Sequence, residues 1–187
     1  NVYFYDLGSK LSREQIVEVA QRYGLGARSG IDLLNEATGI LPTDEWITQA
    51  LPPRDGNWYS GETIGLSIGQ GPINTTPLQL AQMVAALATG IKIKPHLVKN
   101  VESSAGDSRP RIAPRDRSVE VNLSPYHREA ILAGMRAALQ PVTGTGRRAA
   151  NPNYDFGGKT GTAQVASTAA SGPEEERPEA LRNHAWF

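Results

Sequence analysis

Phe156-Gly157-Gly158-Lys159-Thr160-Gly161-Thr162-Ala163-Gln164-Val165 sets a cation, a hydroxyl and a glycine in series and follows them with a second hydroxyl. Ala163 and Val165 flank Gln164, the alternation of a strand with one apolar face. On such a strand Lys159 and Gly161 point to one side, and Thr160 and Thr162 to the other. Gly161 has no Cβ, so another backbone can approach closely, which suits an extended peptide added as a further strand. Downstream, residues 166 to 180 are small, proline-containing and acidic at Glu174-Glu175-Glu176, and Arg182 to Phe187 resumes an apolar strand. A strand, a long connection and a strand predict an antiparallel pair. The helical signals all lie upstream of that pair, so the predicted class is α+β.

Upstream, Ser12 with Gln15 forms a capping box for a helix whose apolar face is Ile16, Val17, Ala20 and Tyr23, stopped by Gly24. Val2 to Leu7 is apolar and aromatic, and its periodicity fits a helix turn or a short strand equally. Residues 24 to 62 are rich in glycine and proline, with Thr43 placed to cap a short helix through Asp44-Glu45-Trp46-Ile47. Trp46, Trp58 and Tyr59 either line a groove or anchor a loop on the core. Gly69-Gln70-Gly71 is no phosphate loop, because no Gly-Lys-Ser/Thr ending follows. Thr76 caps a helix with Pro77 at its first position, Leu80, Met83, Val84, Leu87 and Ala88 as its apolar face, and Gly90 as its stop. Ile91 to Val101 reads as a strand or extended connector, and 102 to 118 as a solvated loop. Its four arginines are diluted by Glu102, Asp107 and Asp116. Ser124 with Pro125 caps a third helix carrying Ile131, Leu132, Met135 and Leu139, ended by Pro141. Gly144-Thr145-Gly146 then leads into a polar turn.

The 187 residues can bury one core of ordinary domain size. Lys+Arg and Asp+Glu are both 19, so no global charge draws the chain to nucleic acid or an anionic membrane. No cysteine is present, which excludes disulfides, thiolate metal sites and a cysteine nucleophile. His96, His127 and His184 are too widely spaced to suggest a metal site, and no cofactor is expected. No apolar run reaches transmembrane length. Both ends fall inside patterns, Asn1-Val2-Tyr3-Phe4-Tyr5 and His184-Ala185-Trp186-Phe187, so a cut piece of a longer chain is expected.

Lys-Thr-Gly alone arises by chance in roughly one chain of this length in twenty or thirty. The other stretches give it weight: Tyr3-Phe4-Tyr5, Gly30-Ile31-Asp32-Leu33, Pro42-Thr43-Asp44-Glu45-Trp46, Ser67-Ile68-Gly69-Gln70-Gly71, Thr76-Pro77-Leu78-Gln79-Leu80, Lys94-Pro95-His96-Leu97, Gly158 to Val165 and His184-Ala185-Trp186-Phe187. In this order and over nearly the whole chain, they resemble the transpeptidase domain of class B penicillin-binding proteins, of the penicillin-binding protein 2 type.

The resemblance implies the penicillin-binding protein and serine β-lactamase-like fold, an antiparallel sheet with a helical subdomain. Of that family's three motifs, Lys159-Thr160-Gly161 is the third. No Ser-x-x-Lys occurs in the chain. Asn1, just before Tyr3-Phe4-Tyr5, takes the last place of the second motif. Residues 1–187 are thus expected to be the C-terminal part of one transpeptidase domain, without the nucleophile-bearing segment, pedestal and membrane anchor.

The implied activity is a serine acyl-enzyme D,D-transpeptidase that cross-links D-Ala-D-Ala stem peptides of peptidoglycan and is acylated by β-lactams. The fragment itself is expected to be inactive. Lys159 would supply positive potential and a proton relay, and Thr160 and Thr162 would hydrogen-bond the substrate carboxylate. The Thr162 N–H would belong to the oxyanion hole, and Asn1 would position the substrate amide. Implied partners are stem peptides, β-lactams and membrane proteins of the elongation machinery, at the periplasmic face of the inner membrane, with no nucleic acid. A β-lactamase or D,D-carboxypeptidase of the same fold is an alternative. The Glu-x-x-Leu-Asn of class A β-lactamases is absent, and Glu129-Ala130-Ile131-Leu132-Ala133 comes nearest. A non-catalytic peptide-binding module is a further alternative.

Overall fold

The computed structural model describes residues 1–50, 58–98, 118–165, 173 and 176–187. The polypeptide divides into two units, Asn1–Leu123 and Ser124–Phe187. The first holds helices α1 (Val2–Gly8), α2 (Arg13–Arg22), α3 (Asp44–Ala50), α4 (Ser60–Leu66) and α5 (Pro77–Thr89), with strands β1 (Ile91–Lys92) and β2 (Val119–Glu120). The second holds helix α6 (Pro125–Ala137) and strands β3 (Gly161–Ala163) and β4 (His184–Trp186), with 3₁₀ turns at Arg147–Ala149 and Glu179–Leu181.

The expected caps start the helices where the sequence places them. Ser12 Oγ accepts the Gln15 N–H at 3.2 Å, while Gln15 Oε1 accepts the Ser12 N–H at 2.9 Å. Thr76 and Gln79 repeat that reciprocal box at the head of α5, with Pro77 at the first position. Gly90 ends α5 with φ +79°, a left-handed conformation that glycine adopts without strain. Thr43 Oγ1 accepts the Trp46 N–H, and Ser124 Oγ accepts the His127 N–H, both at 3.2 Å. The undecided segment at Val2 is helical, as α1.

Two apolar clusters fill the first unit. Val17, Leu25, Leu41 and Leu66 form one, with Ile16, Ala20, Trp58 and Met83 against it. Tyr23, Ala86 and Val121 form the other. Each large aliphatic side chain so buried contributes about 1.5–3 kcal/mol relative to exposure. Trp58 anchors its loop: its Nε1–H donates to Thr63 Oγ1 at 2.7 Å, and the Arg13 guanidinium lies 5.5 Å from its ring centre. Trp46 instead lines an open recess with Ile40, Leu41 and Gln49, and Tyr59 stays exposed.

Two expectations are corrected. First, the buried face of α5 is Gln79, Gln82 and Ala86, whereas Val84 and Ala88 are exposed. The two amides turn inward because irregular backbone needs donors: Gln79 Nε2 donates to Ala27 O at 2.7 Å and Thr38 O at 2.8 Å, and Gln82 Nε2 to Ile93 O at 2.8 Å. Second, α4 forms across the end of the glycine- and proline-rich stretch 24–62, where no helix is expected. Thr63 and Leu66 are buried, and Ser67 Oγ bonds both Ile64 O and Phe4 O, so packing overrides the low helix propensity of Gly61 and Gly65. Of the strand or extended connector expected from Ile91, the described residues hold strand geometry at Ile91–Lys92, paired antiparallel as Ile91↔Glu120 and Lys92↔Val119. Farther on, the Asp32 carboxylate takes the Leu97 and Val98 N–H groups at 2.7 Å each. The solvated loop read at 102–118, apart from Ser118, and residues 166–172 and 174–175 of the acidic connection lie outside the described residues.

Candidate functional site

The organising stretch leaves the C-terminal half of α6 and reaches β3 through two glycines. The Gly158 N–H donates to Met135 O at 3.1 Å, tying the strand entry to the helix backbone. A Cβ on Gly157 would lie 2.8 Å from the Met135 carbonyl carbon, and one on Gly158 would lie 2.4 Å from the Phe187 ring. Only glycine admits both approaches, because backbone and ring would occupy the same space as the added carbon. Phe156 meets Phe187 edge to face, with ring centres 6.3 Å apart. Met135 is one of the half-buried residues on the apolar side of α6, beside Ile131 and Leu132, and Leu139 beyond the helix end is buried.

The predicted antiparallel pair is present, with Gly161↔Trp186, Thr162↔Ala185 and Ala163↔His184 in register. It is shorter than the sequence suggests. β3 covers Gly161–Ala163, so Lys159 and Thr160 precede the strand, and Gln164 and Val165 follow it. The Phe187 ring covers Gly158 and Gly146, and all three residues of β3 are exposed, so the one-sided burial expected from Lys159 onward is not seen within β3.

Lys159 is exposed, and its Nζ donates to Thr160 O at 2.6 Å. Thr160 is half-buried, and its Oγ1–H donates to Thr145 Oγ1 at 3.2 Å. Thr162 is exposed. A Cβ on Gly161 would meet nothing within 4 Å, so the space over the strand is open to a ligand. Lys159, Thr160, Gly161 and Thr162 thus lie in sequence at the start of β3 in the second unit, with Lys159 and Thr162 exposed and Thr160 half-buried. Asn1 belongs to the first unit, as the N-cap of α1. Its carbonyl accepts the Tyr5 N–H at 2.9 Å, and its side chain makes no cap bond. Sequence reasoning passed over Thr145, read as part of a turn. The available signal was its place between two glycines.

A cation beside two hydroxyls on an open strand end is suited to an anion, a carboxylate above all. A family profile described as the penicillin binding protein transpeptidase domain matches residues 1–187. The peptidoglycan D,D-transpeptidase MrdA of Acinetobacter baumannii is 34% identical over 172 residues, covering 90% of this chain and 24% of the relative. The chain thus spans about a quarter of that relative's length. Among solved structures, Pseudomonas aeruginosa PBP2 in complex with WCK 5153 superposes with a TM-score of 0.74 at 36% identity, over 88% of this chain and 36% of that one. The complex of PBP2 with MreC from Helicobacter pylori gives 0.73 at 28% identity, over 99% of this chain and 30% of that one.

Proposed function

The chain belongs to the penicillin-binding protein transpeptidase domain family, and from that premise we propose that it is the C-terminal part of the catalytic domain of a peptidoglycan D,D-transpeptidase of cell-wall elongation. The observation that carries this reading is the family match along all of 1–187. The reaction is acyl transfer through a serine ester. The serine oxygen attacks the penultimate D-Ala carbonyl of a stem peptide, the amide C–N bond breaks, and D-Ala leaves with a proton on its amine. The amine of a second stem peptide then attacks the ester, forming the cross-link and restoring the serine. A β-lactam enters the first half-reaction and stays as a slowly hydrolysed ester. With no Ser-x-x-Lys in these residues, the nucleophile and its lysine must come from elsewhere in the protein.

What this chain supplies is recognition and charge stabilisation. Lys159 sets a positive potential for the substrate carboxylate and takes part in the proton relay. The Thr160 and Thr162 hydroxyls donate to that carboxylate. The Thr162 N–H is one oxyanion-hole donor, a role whose loss costs a few kcal/mol of barrier. Asn1 orients the substrate amide. The partners are D-Ala-D-Ala stem peptides, β-lactams and an elongation-machinery protein, as in the MreC complex of the similar PBP2. The protein acts at the periplasmic face of the inner membrane and contributes to cell shape. No helix among the described residues is long and apolar enough to cross a membrane.

The test is labelled penicillin on the full-length protein. Stable labelling supports the transpeptidase, rapid turnover a β-lactamase, and no labelling a binding module. In the same assay Thr162→Ala removes a charge-assisted hydrogen bond worth roughly 1.5–3 kcal/mol, so the second-order acylation rate should fall by about ten- to a hundredfold. Lys159→Ala should lower it further. If both variants fold and acylate like the parent, the strand is not part of the active site.

A further inference from the structure

The Gly144-Thr145-Gly146 turn has no part in the chemistry above, yet both of its glycines are closely fitted. A Cβ on Gly144 would fall 2.4 Å from Ala138 O and 2.6 Å from both the N and the O of Gln140. A Cβ on Gly146 would fall 2.7 Å from the Phe187 ring. Gly144 N–H donates to Gln140 O at 2.9 Å, and Gly146 N–H to Ala138 O at 2.8 Å. The turn thereby supplies partners for the Ala138 and Gln140 carbonyls, which lie just beyond the end of α6. The Phe187 ring that covers Gly146 also covers Gly158, one residue before Lys159. One aromatic side chain therefore clamps both the turn and the strand entry. Between its two buried glycines Thr145 is exposed, and its hydroxyl oxygen lies 3.2 Å from that of Thr160.

We propose that Thr145 is a positioning residue of the anion site: it holds the Thr160 hydroxyl and aims it at the carboxylate of the bound ligand. The inference rests on the assignment of Thr160 as a carboxylate contact. A hydroxyl has one proton and two acceptor lone pairs, and its proton rotates to suit its neighbours. The Thr160 and Thr145 hydroxyls share one hydrogen bond. When a carboxylate arrives, both O–H groups rotate: Thr145 donates to Thr160, and Thr160 donates to the carboxylate. No proton changes owner and no bond breaks. The chain of two donors ending on a negative oxygen polarises itself, so the second donor is stronger than an isolated hydroxyl. The rigid turn fixes Thr145 before the ligand binds, so little further ordering is needed.

The experiment is a double-mutant cycle on the second-order acylation rate of the full-length protein with a β-lactam. The variants are Thr145→Val, Thr145→Ser, Thr160→Val and the valine pair. Thr145→Val should slow acylation by about three- to tenfold, the size of one neutral hydrogen bond. Thr145→Ser keeps the hydroxyl and should stay within about twofold of the parent. In the Thr160→Val background, Thr145→Val should add no further loss, because it acts only through Thr160. Thr145→Ala removes the same hydroxyl without added bulk and replaces the valine variant if that does not fold. A slow Thr160→Val beside an unaffected Thr145→Val overturns the inference and leaves the proposed function standing. So does a full additive loss in the pair. An unaffected Thr160→Val overturns the inference together with the assignment of Thr160 as a carboxylate contact, while stable labelling of the parent still leaves the transpeptidase reading standing.

Discussion

Residues 1–123 and 124–187 are each stabilised by different means, and the contrast shows what a sequence can announce. The first unit buries side chains: two apolar clusters, with Gln79 and Gln82 satisfying the loops around them. The second unit, among its described residues, buries a single large apolar side chain, Leu139. It relies on close backbone approach, with Gly144, Gly146 and Gly158 buried where any Cβ would collide. In one unit the damaging change should be a lost side chain, which leaves a hole and orphaned carbonyls. In the other it should be an added carbon, which has nowhere to go.

The largest expected effect is in the first unit. Gln79 is fully buried, accepts the Thr76 N–H and donates to the Ala27 and Thr38 carbonyls. Gln79→Ala opens a cavity and strands three polar backbone groups at once. The cost should be about 4 kcal/mol. Urea unfolding of parent and variant measures it directly. A loss below about 1 kcal/mol would mean that water replaces the amide freely, and that this core is not built around it.

Next in size is the opposite change in the second unit. Gly144→Ala places a methyl group against Ala138 O and the Gln140 backbone, three atoms that cannot rotate away. Overpacking of this kind should cost about 2–3 kcal/mol. Gly134→Ala is the paired control: its Cβ meets open space within α6, so it should stabilise by up to about 1 kcal/mol. If the two substitutions shift the unfolding midpoint in the same direction and by similar amounts, close backbone approach is not what stabilises this unit.

That difference accounts for what was legible in the chain. Helices α2, α5 and α6 start at Ser12, Thr76 and Ser124 as read, because a cap is a local interaction between residues three apart. The pairing of β3 with β4 was also legible, since both strands carry their own apolar pattern. Helix α4 was not, because it is fixed through contacts such as the one from Ser67 to Phe4, 63 residues away, rather than through its own glycine-containing sequence. The inward turn of Gln79 was hidden for the same reason: its acceptors lie 41 and 52 residues away. In the candidate site the residue types Lys159, Thr160 and Thr162 were plain, and the link from Thr160 to Thr145 was not. A glycine in a sequence shows that a close approach is possible, and only the fold shows what approaches.

The smallest expected effect tests whether ion pairing adds to the packing of the first unit. Arg13 is buried, donates to Pro42 O at 3.3 Å and pairs with both Glu14 and Asp44. The hydrogen bond from Arg13 is the main reason the Glu14 carboxyl is held down, from 4.5 to about 2. A carboxyl whose folded value is depressed contributes stability that is fully present above its unfolded value and is lost as pH falls through the folded one. The contribution should therefore be flat above about pH 5 and should disappear between about 4.5 and 2. Glu14 is 62% exposed, so solvent screens the pair and the contribution should not exceed roughly 1 kcal/mol. Urea midpoints of parent and Glu14→Gln from pH 6 to pH 2 give the comparison. The parent should lead by up to about 1 kcal/mol at pH 6, and the two curves should converge near pH 2 as the parent's carboxylate gains its proton. A gap that stays constant down to pH 2 would show that Arg13 packs against Glu14 without drawing on its charge. The first unit would then rest on side-chain burial and amide hydrogen bonds alone.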